Sequence, residues 1–134
     1  MTTYQIRVEY LGTNFVGWQF QKNGLSIQEV LETALSKYLK ENIRVIASGR
    51  TDSGVHASEQ SSHFKTKNKI NNIGIFLNAV NFFLKKHPVS ILNIQKRSNN
   101  FHARHSAKER VYKYFIVNRP VSYTHLTLPT MYTV

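Results

Sequence analysis

The chain has 134 residues, of which 41% are apolar and 12% are aromatic. This composition can form one folded domain with a hydrophobic core, and it excludes a disordered chain. No apolar run approaches the roughly 18 residues of a membrane-spanning helix, and the N-terminus lacks the pattern of a signal peptide. The absence of cysteine excludes disulfides and thiolate chemistry. We therefore expect a soluble, cytoplasmic domain.

Positive charge is concentrated in the second half of the chain. The formal net charge is +11, from 18 Lys and Arg against 7 Asp and Glu. Residues 1–59 hold six basic and six acidic side chains, whereas residues 60–134 hold twelve basic side chains and one acid, Glu109. A field of one sign over half a domain favours a polyanionic partner, most often nucleic acid. The alternative is that the charge serves solubility alone.

The first half of the chain predicts a strand, a glycine-containing loop and a helix. Apolar side chains alternate in residues 3–10, as is typical of a half-buried strand: Tyr4, Ile6, Val8 and Tyr10. Ser26 and Glu29 have the spacing of a capping box at the start of a helix. The following apolar side chains recur at helical spacing and predict a helix of about 15 residues: Ile27, Leu31, Leu35 and Tyr38.

The remaining elements complete a β-α-β-β-α-β order with a further strand. Strands are predicted at 42–48, 59–65, 89–95 and 111–118. A second helix is predicted from four apolar side chains at helical spacing: Ile73, Leu77, Val80 and Leu84. This order predicts an α+β fold, in which an antiparallel sheet is backed by two helices in the split βαβ arrangement of ferredoxin-like and RRM-like domains.

Asp52, the only aspartate, follows the predicted strand at 42–48 and lies between Gly49 and Gly54. Glycines at both ends allow a sharp turn that presents Arg50 and Asp52 at the end of the sheet. A guanidinium neighbour would keep the carboxylate ionised, which suits a nucleophile or an electrostatic stabiliser. The alternative is an Asx-turn, in which the carboxylate only caps the amides of its own loop.

Residues 101–114 form a second candidate region, in which aromatic and basic side chains alternate. Tyr112 and Tyr114 share one face of the predicted last strand, while Lys113 points the other way. This pattern is typical of surfaces that stack an unpaired base, although tyrosines at the edge of a core would have the same spacing. His102 and His105 have no nearby carboxylate or thiol in the sequence, so we expect no metal site.

The segment from Gly49 to Ala57, GRTDSGVHA, resembles the catalytic-aspartate motif of the tRNA pseudouridine synthase A family. Further matches to the family extend over about residues 3–120: Glu9-Tyr10, Gly12, Phe15, Gly17-Trp18-Gln19, Ser26, Gln28-Glu29, Gln60, His63-Phe64, Leu77-Asn78-Ala79, Phe101-His102-Ala103-Arg104, Ser106-Ala107, Arg110, Tyr112 and Tyr114. The sequence therefore resembles this family over most of its length.

The resemblance implies an isomerase that converts uridine to pseudouridine at nucleotides 38 to 40 of the tRNA anticodon stem-loop. It implies that Asp52 is the essential carboxylate, that Arg50 is its charge partner and that Tyr112 lies against the target base. Four other positions are expected to contact the substrate: Thr51, His56, Arg104 and Arg110. The resemblance further implies that the enzyme is a homodimer that uses neither a cofactor nor a metal.

The sequence departs from the family at two positions, in its length and in its last residues. Leu11 and Phe20 stand where the family usually has an aspartate and an arginine. Family members are about twice as long, so we expect residues 3–120 to be the N-terminal catalytic subdomain, with little or no activity alone. Residues 121–134 do not follow the family, and we interpret them as a foreign tail.

Two alternative functions follow from the same residues. A non-catalytic RRM-like RNA-binding module would explain the basic second half of the chain and the strand tyrosines, but it assigns no function to Arg50 and Asp52. A fragment of a glycoside hydrolase would need a second acid about 5–10 Å from Asp52, and Glu59 is the nearest acid downstream in the sequence.

Overall fold

The computed structural model describes residues 1–105, together with the backbone of residues 111–114 and 130–133. Two helices and six strands lie in this described part: β1 (Thr2–Tyr10), α1 (Ile27–Leu39), β2 (Ile46–Ala47), β3 (His56–Thr66), α2 (Ile73–Leu84), β4 (Val89–Arg97), β5 (Val111–Tyr114) and β6 (Thr130–Thr133). The predicted β-α-β-β-α-β order is confirmed.

The central strands have the order β4-β1-β3, and both of these pairings are antiparallel. The short strand β2 pairs antiparallel with the second half of β3, at Ser62 and His63. The sheet of β1 to β4 therefore has the order β4-β1-β3-β2 of the split βαβ fold, as predicted. The first half of β3 pairs in parallel with β6, and β6 pairs antiparallel with β5.

One face of the sheet is apolar and packs against the helices. The alternating side chains predicted for β1 are all buried there, with at most 4% of their surface exposed: Tyr4, Ile6, Val8 and Tyr10. The buried side of α1 is also apolar, as predicted: Ile27, Val30, Leu31, Ala34, Leu35 and Leu39. Burial of these side chains supplies the main free energy that holds the helices on the sheet.

Helix α1 begins where the capping pattern predicts. The Ser26 hydroxyl accepts a hydrogen bond of 3.1 Å from the backbone N–H of Glu29. This bond satisfies one of the free N–H groups in the first turn. The helix ends at Lys40, whose φ of 55° is left-handed, and it is 13 residues long rather than about 15. The φ of Lys40 stops the helix before the predicted length is reached.

The predicted inner face of α2 is wrong in part. The structure buries Phe76, Val80 and Leu84, whereas 51% of the surface of Ile73 is exposed. Ile73 follows the N-cap residue Asn72 and lies at the outer end of the helix. Helix α2 carries apolar residues on more than one side, so periodicity alone fits several faces.

The predicted strand at 42–48 forms ladder pairs only at Ile46 and Ala47. The N–H groups of Ile43 and Val45 instead donate to side chains of α1, namely to Ser36 Oγ at 3.0 Å and to Glu32 Oε2 at 2.9 Å. Because these groups bond to the helix, this part of the chain does not extend β2. Burial raises the pKa of Glu32 above its ordinary value, although its bond with Val45 acts in the opposite direction.

Three further strand predictions differ in their ends. Strand β3 begins at His56 rather than at residue 59, and β4 continues to Arg97 rather than residue 95. Strand β5 is described over residues 111–114, whereas residues 115–118 lie outside the described residues. Within the predicted foreign tail, residues 121–129 and 134 lie outside the described residues, and 130–133 form β6. The origin of this segment stays a prediction.

A β-bulge in β4 is held by one side chain of α2. The pairing of β1 with β4 shifts by one residue, because Arg7 lies opposite Asn93 and Val8 lies opposite Ile91. Asn81 binds both backbone polar groups of Ile91 at this bulge. Its amide nitrogen donates to the carbonyl of Ile91 at 3.0 Å, and its amide oxygen accepts from the N–H of Ile91 at 2.8 Å.

We expect Asn81→Ala to lower the free energy of unfolding by about 2–4 kcal/mol, because two part-buried backbone groups lose their partners. Urea denaturation measures this change. Asn78→Ala is the matched control, since Asn78 is exposed on the same helix, and we expect it to change stability by less than about 0.5 kcal/mol. Equal effects of the two substitutions would contradict this role of Asn81.

Candidate active site

The loop that carries Asp52 connects β2 to β3 and turns sharply. The N–H of Val55 donates to the carbonyl of Asp52 at 3.1 Å, and Gly54 has a φ of +80°. The Asp52 side chain is exposed, and its carboxylate accepts no hydrogen bond from the described residues. The Asx-turn alternative is therefore wrong for this structure. The carboxylate is available for contacts outside the loop.

Thr51, next to Asp52, anchors the loop to the body of the domain. Its side chain is buried, and its hydroxyl forms a hydrogen bond of 2.7 Å with the Tyr10 hydroxyl at the end of β1. Its carbonyl accepts a bond of 2.9 Å from the N–H of Trp18. Both the side chain and the backbone of Thr51 are thus held, so the position of the neighbouring Asp52 backbone is fixed.

The loop of residues 11–25 lies directly against the Asp52 loop, and two glycines stand where the backbones meet. Gly17 has a φ of +113°, and a Cβ there would lie 2.7 Å from the carbonyl oxygen of Thr51. A Cβ on Gly12 would overlap the carbonyl oxygen of Val55. Ser53 adds a third contact, because its hydroxyl donates to the carbonyl of Phe15 at 3.1 Å.

The start of the Asp52 loop is held by Gln60 of β3. The Gln60 side chain is fully buried, and its amide nitrogen donates to the carbonyl of Gly49 at 2.5 Å. Its amide oxygen accepts from the Ser48 hydroxyl at 3.1 Å. The sequence places Gln60 in the strand predicted at 59–65 and among the matches to the family, but it predicts no contact for the side chain. Its role depends on a contact across 11 residues, for which the sequence pattern gives no signal.

His56, the first residue of β3, is also bound to the neighbouring loop. Its Nδ1 accepts a hydrogen bond of 2.8 Å from the N–H of Gly12. In the neutral ring the proton is therefore on Nε2. Thr51 and His56 both have positioning roles in this part of the structure, and their predicted contacts with substrate stay predictions.

Arg50 and Asp52 lie two residues apart, and both side chains are exposed. No ion pair within 4 Å joins them in the described part of the chain. The ion pair found there is between Arg7 and Glu59, at 3.1 Å. The role of Arg50 as charge partner therefore stays a prediction.

The other predicted site residues lie after β4. Arg104 lies near His63 and His102, and its charge contributes to the lowered pKa of both imidazoles. Arg110 lies outside the described residues. Tyr112 is on β5, where its backbone lies opposite Tyr132 of β6, and Tyr132 lies opposite Ala57 of β3. Two strand spacings place the backbone of Tyr112 about 10 Å from that of Ala57.

A family model for tRNA pseudouridine synthase matches residues 6–106 of the chain. The chain belongs to the tRNA pseudouridine synthase family. The match includes the whole Asp52 loop and the loop of residues 11–25 that lies against it. The resemblance predicted from the segment Gly49 to Ala57 is therefore confirmed.

Similar proteins from two bacterial genera bear the name tRNA pseudouridine synthase A. The protein of Pelagibacter ubique is 56% identical over 119 residues, which are 89% of this chain and 48% of that protein. The proteins of Ehrlichia canis and Ehrlichia ruminantium strain Gardel are each 45% identical over 126 residues, which are 93% of this chain and 50% of each relative. The chain thus spans about half the length of these pseudouridine synthases.

This member of the pseudouridine synthase family shows neither a metal site nor a membrane span in its described residues. No group of three or more His, Cys, Asp or Glu side chains there could hold a metal ion. The two described helices are too short to cross a bilayer.

His63 of this pseudouridine synthase chain is buried among positive groups. Its Nδ1 accepts a hydrogen bond of 3.0 Å from the N–H of Ala103. Burial, together with the charges of His102, Lys65 and Arg104, lowers the pKa of His63 to about 4. Burial also lowers the pKa of His102. Protonation of His63 would remove the acceptor for Ala103 and is disfavoured in the folded state.

We expect the free energy of unfolding to fall as the pH is lowered from about 6.5 towards 4. The unfolded chain takes up a proton at His63 near its ordinary pKa, while the folded chain does so only near pH 4. The expected loss from this group is on the order of 1–3 kcal/mol. Urea denaturation across this range measures it. His63→Gln keeps an acceptor for Ala103 and should flatten the pH dependence; an unchanged slope would contradict the assignment.

Proposed function

We propose that this chain is the part of a tRNA pseudouridine synthase that carries the catalytic carboxylate, Asp52. The observation that carries the proposal is an exposed carboxylate without hydrogen bonds in the described part, on a loop anchored from several sides. A loop held in this way positions its reactive group before the substrate binds, which lowers the cost of reaching the reactive geometry.

The proposed substrate is a uridine at nucleotides 38 to 40 of the tRNA anticodon stem-loop. The base must first leave its stack, at a cost of a few kcal/mol. Stacking on Tyr112 would return roughly 1–3 kcal/mol of this cost. The excess of basic residues in 60–134 favours binding of the polyanionic tRNA. We further propose a homodimer in the complete protein and a cytoplasmic location.

The proposed chemistry is an isomerisation that conserves all atoms of the nucleoside. The C–N glycosidic bond breaks while ionised Asp52 attacks the ribose or stabilises its positive charge. The uracil then turns, a C–C bond forms to the same ribose carbon, and the proton on the uracil carbon leaves. Water does not enter the product, so a second carboxylate of the hydrolase type is not required. Glu59 is instead paired with Arg7 at 3.1 Å.

The decisive experiment measures release of tritium from tRNA labelled at C5 of uracil, since this hydrogen leaves only when the base rejoins through carbon. Two proteins are compared: the 134-residue chain and a chimera that continues the family-matched part with the second half of the Pelagibacter ubique relative. We expect release with the chimera and little or none with the chain alone.

A folded chimera that binds tRNA but releases no tritium would overturn the enzymatic proposal and support the alternative of a non-catalytic RNA-binding module. Robust release by the 134-residue chain would overturn the expectation that this part is inactive alone. Thermal unfolding of both proteins shows whether they are folded before their activities are compared.

A further inference from the structure

A basic pocket lies at the second half of β3, away from the Asp52 loop. It has a volume of about 470 Å³ and opens to solvent. Its wall includes six cationic or aromatic side chains: Arg44, His63, Phe64, Lys65, Phe101 and His102. No acidic side chain lines it among the described residues. This basic pocket therefore presents donors and positive charge without a negative counterpart in its wall.

His63 supplies a hydrogen-bond donor in the wall of the basic pocket. Only 3% of its surface is exposed. Because Nδ1 accepts from Ala103, the neutral ring carries its proton on Nε2. No acceptor for this proton lies within hydrogen-bond distance among the described residues. The buried polar side-chain atoms without a partner among the described residues are Thr3 Oγ1 and Ser62 Oγ, so the unpartnered Nε2 of His63 is accessible from the pocket and can donate its proton to a ligand there.

Aromatic rings pack against one another in the wall of the basic pocket. The ring of Phe101 packs edge-on against His63, with centroids 5.9 Å apart, and the guanidinium of Arg97 lies 5.4 Å from the Phe101 centroid. The ring of His102 lies 4.7 Å from that of His63. These contacts hold the loop after β4 over the strand, so the wall is formed before any ligand arrives.

Lys65 and Arg44 supply the charge of the basic pocket, and both side chains are exposed. Lys65 also lowers the pKa of His63 and of His102, which shows that its positive field reaches both imidazoles. Arg44 acts on Glu32 of α1 and lowers the pKa of that carboxyl, but Glu32 Oε2 is bound to the N–H of Val45. No ion pair within 4 Å joins Arg44 to Glu32 in the described part of the chain, so the Arg44 guanidinium can bind an anion at the rim of the basic pocket.

We propose that the basic pocket binds a backbone phosphate of the substrate tRNA outside the target nucleotide. The inference rests on the proposed function, because it assigns a second contact with the same RNA. A strand rise of about 3.3 Å per residue places His63 roughly 23 Å from His56, the first residue after the Asp52 loop. A separation of this size requires a ligand that extends beyond one nucleotide, as an RNA stem does.

The test measures binding of fluorescent tRNA to the 134-residue chain by anisotropy at several salt concentrations. We expect Lys65→Gln and Arg44→Gln each to weaken binding about three- to tenfold at low salt and to reduce the salt slope by about one. Lys86→Gln is the matched control, because Lys86 is exposed on the helical side of the domain. It removes the same charge from the chain, and we expect less than a twofold effect.

The outcomes separate the basic pocket from the proposed function. If the pocket variants weaken binding no more than Lys86→Gln does, or if the chain does not bind tRNA, the pocket proposal is overturned. Tritium release by the chimera still decides the proposed function in either case. In the chimera we expect Lys65→Gln to raise KM for whole tRNA and to leave kcat unchanged. A fall in kcat at unchanged KM would overturn the assignment to binding.

Discussion

Replacement of Asp52 by asparagine in the chimera is expected to lower the rate of pseudouridine formation by about 10³–10⁴-fold, with tRNA binding changed less than about threefold. The amide has nearly the same shape as the carboxylate, but it is neutral and a poor nucleophile. The expectation therefore holds whether Asp52 attacks the ribose or stabilises its positive charge. Single-turnover tritium release and anisotropy measure the two quantities separately.

Asp52→Asn should leave the fold intact, since the Asp52 side chain is exposed and accepts no hydrogen bond in the described part of the chain. We expect its free energy of unfolding to change by less than about 0.5 kcal/mol. Glu29→Gln is the matched control for the loss of one carboxylate, because Glu29 lies in the first turn of α1. We expect it to retain full activity. Equal activities of Asp52→Asn and the unchanged chimera would remove Asp52 from the mechanism.

The parts of the fold that depend on local patterns could be predicted from the sequence. The alternation in β1 and the serine cap of α1 involve residues close together in the chain, and the structure confirms both. The inner face of α2 is predicted only in part, because this helix carries apolar residues on more than one side: the structure buries Phe76 and leaves Ile73 exposed. Strand β2 is short because Ser36 and Glu32 of α1 bind its leading residues, a tertiary effect that overrides β propensity.

The candidate site shows the same division between local and long-range information. The motif around Asp52 and its turn lie within nine residues, so both could be predicted. The anchors of the loop come from far along the chain, since Tyr10 is 41 residues from Thr51. The glycines in the loop after β1 are the one local feature that indicates these contacts. Gly12 and Gly17 stand where that loop touches the Asp52 loop.

The second large effect is expected for Gly17→Ala, which should lower the free energy of unfolding by about 3–5 kcal/mol. The φ of +113° is unfavourable for alanine, and the added Cβ would lie 2.7 Å from the Thr51 carbonyl oxygen. That oxygen accepts the hydrogen bond from Trp18, so the backbone cannot move away without losing the bond. In the chimera, a shift of the Asp52 loop by about 1 Å should also lower turnover roughly a hundredfold.

Substitutions at two other glycines distinguish the cost of a positive φ from the cost of the steric contact at Gly17. Gly54 has a φ of +80° but open space around its Cβ position, so Gly54→Ala should cost only about 1–2 kcal/mol. Gly74 lies in the first turn of α2 without a positive φ, and Gly74→Ala should stabilise the chain by up to about 1 kcal/mol. Urea denaturation of the three variants tests this order. If Gly17→Ala were no more destabilising than Gly54→Ala, the loop after β1 would not hold the Asp52 loop through close backbone contact.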